Sequence, residues 1–167
     1  RRIKTLKKRI ISLLCALCLM FTMLPTTAFA AWAVPTLKVE AVRDGDQIKT
    51  TVKIGPHTDM GAINFTLNYD SSKLTLSGSP AGQNFLSGAI IGSVTPGKIT
   101  PTWYDINATS SATEIPILTA TFDIVAGQSG PAVFTIDSIS ITDKSGEEEN
   151  TSPGAGSVTT TTVTIPK

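Results

Sequence analysis

Cysteine is almost missing from this chain. Its 167 residues hold two, Cys15 and Cys18, and both sit inside an N-terminal apolar run. Beyond residue 30 there is none, which excludes disulfides and thiolate metal sites there. Histidine is just as scarce: His57 is the only one. It follows Gly55-Pro56 and reads as a turn residue with no second His or Cys to complete a metal site. No Ser-His-Asp or Cys-His arrangement is placed, so nucleophilic catalysis has little sequence support. Aromatic residues make up 6% of the chain and charged residues 16%, and no helical period is sustained. A planar row of exposed aromatics, which a polysaccharide-binding sandwich needs, is thin. Trp32 stands near the start, Trp103 has buried parity, and Tyr104 is left alone.

Residues 1–30 have the layout of a secretory signal. Arg1, Arg2, Lys4, Lys7, Lys8 and Arg9 form a basic head, Ile10 to Leu24 an apolar run, and Ala28-Phe29-Ala30 a small-x-small cleavage site. The run is shorter than the roughly 18–20 residues of a membrane span, so an uncleaved anchor is the lesser reading. Neither cysteine follows the small residues of a lipoprotein site. The expectation is a cleaved signal over 1–30, a short leader over 31–36 and one domain over 37–165. The protein would be secreted or held on a bacterial cell surface, touching membrane only through the uncleaved signal. The signal carries six of the fourteen Lys and Arg, so eight remain against thirteen acids. The resulting negative balance disfavours nucleic acid, which needs a cationic patch.

What is present is alternation. Ile63, Phe65, Leu67 and Tyr69 occupy every second position, with Ala62, Asn64, Thr66 and Asn68 between them: a strand with one dry and one small, polar face. Asp70-Ser71-Ser72 turns the chain, and Leu74 and Leu76 resume the pattern. Earlier, Ile48, Thr50, Val52 and Ile54 alternate with Gln47, Lys49, Thr51 and Lys53, behind a turn at Arg43-Asp44-Gly45-Asp46. Later, Ile99, Pro101 and Trp103 alternate with Thr100, Thr102 and Tyr104. Pro101 cannot donate to a ladder and implies an edge or a bulge. Asn107 to Glu114 reads as a polar loop, and Leu118, Ala120, Phe122 and Ile124 as another strand. Between Val133 and Thr142 the parity slips from Phe134 and Ile136 to Ile139 and Ile141. A bulge near Asp137-Ser138 would restore one face. About nine short strands at this spacing make an all-β, two-sheet sandwich.

The order of these segments resembles a bacterial cohesin domain over about Leu37 to Val163. The likeness is carried by Gly45-Asp46, by Gly61-Ala62-Ile63-Asn64-Phe65 leading to Tyr69-Asp70 and Leu74, and by Gly97-Lys98-Ile99 leading to Trp103. Leu118-Thr119-Ala120-Thr121-Phe122 and Asp143-Lys144-Ser145-Gly146 complete it. The resemblance implies a nine-stranded jelly roll without catalytic function. Such a module binds a dockerin, a calcium-loaded helical module fused to a secreted enzyme or surface protein, through the face of its third, fifth, sixth and eighth strands. The calcium belongs to the dockerin, and no cofactor is expected on this chain. By position the face takes Ala62, Asn64, Thr66 and Asn68 from the third strand. It takes Thr100, Thr102 and Tyr104 from the sixth, and Thr135 and Asp137 from the eighth. Many cellulosomal cohesins carry Asn and Asp on the third strand where this chain has Ala62 and Asn64.

The residues themselves leave two alternatives open: a carbohydrate-binding module, and a structural or adhesin sandwich of a surface protein. Asp70, Asp105 and Asp123 are the acids available for paired-carboxylate hydrolysis. Asp70 reads instead as a turn former and Asp123 as a wet-face residue. Asp44 with Asp46, and Asp143 with Glu147 to Glu149, lack the full spacing of a calcium loop and read as solvated turn acids.

Overall fold

A computed structural model describes residues 34–88, 90–146, 149–150 and 153–167; the expected signal lies outside them. Eleven strands are found among the described residues: β1 Leu37–Asp44, β2 Gln47–Ile54, β3 His57–Tyr69, β4 Leu74–Leu76, β5 Ala81–Gly82, β6 Ile90–Thr95, β7 Lys98–Ser111, β8 Ile115–Ile124, β9 Gly130–Asp143, β10 Glu149–Asn150 and β11 Thr160–Ile165. Two of these, β5 and β10, are two residues long; the other nine build the sandwich. One sheet runs β1-β2-β8-β4, with β5 also on β8. The other runs β10-β9-β3-β7-β6, with β11 also on β9. Every strand pairing is antiparallel. A single parallel bridge, Lys38 to Val158, ties the β1 edge to the segment entering β11.

The two sheets stack because each strand has one apolar face to hide. Ile63, Phe65, Leu67 and Tyr69 of β3 are buried, as are Ile48, Val52 and Ile54 of β2, Leu118, Ala120 and Phe122 of β8, and Phe134, Ile136, Ile139 and Ile141 of β9. Rings meet across the interior, Tyr69 against Phe122 at 4.6 Å and Phe122 against Phe134 at 5.3 Å between centroids. Each such side chain contributes roughly 1.5–3 kcal/mol on burial.

The parity slip in β9 is resolved by a bulge. Asn64 pairs with Ser140 but Thr66 with Asp137, so Ser138 and Ile139 of β9 oppose the single residue Phe65 of β3. Ser138 takes the extra step at φ 50°, and both isoleucine sets return to the core. Pro101 is buried in β7, which is interior rather than an edge. The irregularity lies on its neighbour: Ile91 pairs with Pro101 and Ser93 with Thr100, leaving Gly92 as the extra residue of β6 opposite the missing donor.

Two expectations are corrected. Residues 107–111 are strand, not loop, because β3 begins early and gives β7 a partner as far as His57 to Ser111. His57 is no exposed turn residue either. It opens β3 buried, with Nδ1 2.9 Å from the Gly55 carbonyl oxygen and its ring edge-on to Phe85 at 5.8 Å.

Thr50 shares the inward parity of Ile48 and Val52, and its buried hydroxyl has no hydrogen-bond partner among the described residues. An orphaned buried hydroxyl costs about 1–3 kcal/mol. Thr50→Val keeps the shape and removes that cost. It is expected to raise unfolding stability by about 1 kcal/mol, read from the urea midpoint. Thr51→Val, one position out of phase, should give no comparable gain. Equal effects from the two would show that Thr50 Oγ1 is satisfied.

Candidate functional site

The outer face of the six-stranded sheet gathers all nine residues expected at the partner-binding surface. Alternation in β3 points Ala62, Asn64, Thr66 and Asn68 away from the core; Ala62, Asn64 and Asn68 are half-buried, and Thr66, covered by its neighbours on the outer face, is buried. Pairing then places neighbours on either side. From β7, Tyr104 stands beside Ala62 and Thr102 beside Asn64. From β9, Asp137 stands beside Thr66 and Thr135 beside Asn68.

Short polar side chains hold one another on this face. Asn64 Nδ2 donates to Thr102 Oγ1 at 3.0 Å, and Thr66 and Thr100 hydroxyls meet at 3.2 Å. Asn68 Nδ2 donates to Asp137 Oδ2 at 2.8 Å. The ladder crosses β7, β3 and β9 and fixes rotamers that would otherwise be ordered only when something binds.

Tyr104 is 74% exposed, and the residue two beyond it, Ile106, is 90% exposed. Sequence reasoning missed Ile106. It continues the outward parity of Thr100, Thr102 and Tyr104, and that parity was the available signal. Its height comes from a backbone excursion: Met60 pairs with Thr109 and Ala62 with Tyr104, so β7 spends three extra residues there. Asp105 Oδ1 caps the excursion by accepting from Asn107 N at 2.8 Å, and Ala108 turns it at φ 56°.

Beside these two side chains lies a shallow depression of about 220 Å³, lined by Gly61, Ala62, Tyr104, Ile106 and the turn from Thr142 to Gly146. Gly61 lets that turn approach: a Cβ there would sit 2.6 Å from the Asp143 carbonyl oxygen. Asp143 Oδ1 accepts from Ser145 Oγ at 2.6 Å, Ser145 N at 2.9 Å and Gly146 N at 3.1 Å. These bonds, the Ser145 hydroxyl first, hold its carboxyl below the ordinary aspartate value. Lys144 Nζ is 2.6 Å from Asp59 Oδ2.

The candidate acids are engaged in local bonds. Asp70 Oδ1 accepts from the Ser72 hydroxyl and amide within its turn, and Asp123 Oδ1 accepts from Gln47 Nε2 on the adjacent strand β2 of the five-stranded sheet. Among the described residues no cluster of His, Cys, Asp or Glu is arranged to hold a metal. Glu147 and Glu148 lie outside the described residues.

The Cohesin domain family matches residues 32–163, and the chain belongs to that family. No curated protein matches. Among solved structures, it is similar to the sixth cohesin of scaffoldin B from Acetivibrio cellulolyticus, solved with a dockerin, at 19% identity and TM-score 0.63, covering 79% of this chain and 99% of that one. A non-cellulosomal cohesin from the archaeon Archaeoglobus fulgidus aligns at 19% identity and TM-score 0.61, over 81% and 93% of the two chains. A cohesin module from a family 33 glycoside hydrolase of Clostridium perfringens aligns at 13% identity and TM-score 0.61, over 80% and 98%.

The Asp143 turn carries a pH prediction. A lowered carboxyl value means its bonds hold above the ordinary aspartate value, about 3.9, and are lost as pH falls through the lower folded value. The Ser145 and Gly146 amide resonances are expected to move only below pH ~3.9. Asp143→Asn, which can accept without titrating, should abolish the movement while leaving β9 intact. A midpoint at or above the ordinary value in the NMR titration would contradict the geometry.

Proposed function

We propose that this chain is a non-catalytic docking module that binds a dockerin-bearing secreted protein through the outer face of β3, β7 and β9. The observation that carries the reading is the polar ladder Asn64–Thr102, Thr66–Thr100 and Asn68–Asp137, set on a rigid core within a cohesin domain. Dockerins accompany cohesins in several similar structures, among them scaffoldin B's sixth cohesin and two Clostridium thermocellum complexes. The mechanism is docking of rigid surfaces. Buried Ile63, Phe65 and Leu67 fix β3, so the side chains between them meet a partner without further ordering. Calcium is carried by the dockerin. The basic, apolar and small-residue pattern of residues 1–30 supports export, to the medium or to a bacterial surface.

A long cation at the centre of the face separates this surface from others. Thr66→Arg should weaken dockerin binding at least a hundredfold; because Thr66 is only 9% exposed, binding is compared where circular dichroism shows the variant folded. Thr121→Arg, on the outward parity of β8 in the other sheet, should leave binding within threefold. Isothermal titration of calcium-loaded dockerin modules reads both. Loss with Thr121→Arg and retention with Thr66→Arg would move the site to the opposite sheet. Retention of insoluble polysaccharide by the wild-type chain, without dockerin binding, would favour the carbohydrate-binding alternative.

A further inference from the structure

We infer that the Tyr104–Ile106 end of the face, with the depression beside it, is the affinity anchor, and that it receives an aliphatic or aromatic side chain of the dockerin. The inference rests on the docking function proposed above. Three observations carry it.

First, the apolar surface here is concentrated and held up. Ile106 and Tyr104 are the two most exposed large apolar side chains among the described residues, and they are two positions apart on one strand. Scattered exposed apolar residues need no explanation; a pair flanking a hollow on a binding face does. The excursion that lifts Ile106 is fixed on both legs, by Asp105 accepting from Asn107 and by Ser110 Oγ accepting from Asp59 N at 2.9 Å. Ile106 therefore stays outward instead of folding back onto the sheet.

Second, the hollow is the size of a side chain. Its 220 Å³ is below the range of about 300–1,000 Å³ typical of small-molecule pockets. The floor is open because Gly61 and Ala62 bring almost no side chain to it. An asparagine at position 62 would fill part of the hollow and present a polar group there.

Third, the charged groups around the rim already have partners within the chain. Lys144 is paired with Asp59, Asp143 with the Ser145 and Gly146 groups, and Asp105 with Asn107. Lys144 is paired with a countercharge, and one oxygen of each of the Asp105 and Asp143 carboxylates is engaged by neutral donors of its own turn, so the apolar contact falls on Tyr104 and Ile106 rather than on the rim acids. The two most exposed large apolar side chains are thus gathered at one end of the face, and a dockerin docks with its apolar contact residue at that end.

Surface plasmon resonance of the full chain over a panel of immobilised, calcium-loaded dockerin modules tests this. For any module the wild type binds, Ile106→Ser and Tyr104→Ala should each weaken binding at least tenfold, mostly through faster dissociation. Ile106→Thr, which keeps the branched Cβ, should lose less. Thr121→Ala, on the outward parity of β8 in the other sheet, should stay within threefold. Ala62→Phe, filling the hollow from its floor, should reproduce the loss. Circular dichroism should show all variants folded. If the wild type binds but the Ile106 and Tyr104 variants match it, the anchor is elsewhere and the docking function stands. If the wild type binds no module of the panel, the docking function fails and the anchor with it.

Discussion

Strand β3 is paired on both sides, with β7 along one edge and β9 along the other, and its inward side chains are sealed in the core. The geometry of the face follows from that double constraint. A one-residue slip of β3 would exchange Ile63, Phe65 and Leu67 for Asn64, Thr66 and Asn68 and place three hydrophobes in water. The energy that forbids the slip is the burial of the dry face, not any bond on the wet one. The outer surface is therefore positioned by residues that never touch a partner, and substitutions on it can alter recognition without reaching the core.

Much of this was legible in the sequence because a half-buried strand writes its orientation in alternate letters. The β3 pattern alone assigned Ala62, Asn64, Thr66 and Asn68 to the outside. The parity break between Ile136 and Ile139 located the β9 bulge, since two apolar sets of opposite phase can share one core only if a residue is inserted between them. Pro101 marked an irregularity correctly, yet could not say which strand would supply it. The missing donor is a property of β7, whereas the accommodation sits in β6.

The rest failed to show for physical reasons of the same kind. His57 follows Gly-Pro, a pair that signals a turn, and no local pattern announces that a histidine two residues on will be covered by Phe85. Its burial depends on a segment some thirty residues away. The polar composition of residues 107–111 reads as loop, but strand formation there is decided by pairing with the first residues of β3. Ile106 was visible in parity and missed in weight. One isoleucine in a polar stretch looks incidental until the excursion at Asp105–Ala108 shows it raised beside a hollow.

Under the proposed docking function, the polar ladder and the apolar end divide the work of recognition. Asn64, Thr66, Thr100 and Thr102 satisfy one another before any partner arrives. A partner hydrogen bond to these groups must displace or share an existing one, so its net contribution is small; even an unopposed exchange with water yields only about 0.5–1.5 kcal/mol. Such a surface is better at rejecting a badly matched partner, whose polar groups would be buried unpaired, than at holding a good one. Ile106 and Tyr104 carry no such competition along their apolar surfaces, and covering them removes hydrocarbon from water without breaking a bond inside the sheet. In the docking function proposed, selectivity at the centre and affinity at one end follow from where the sheet has already used its hydrogen bonds.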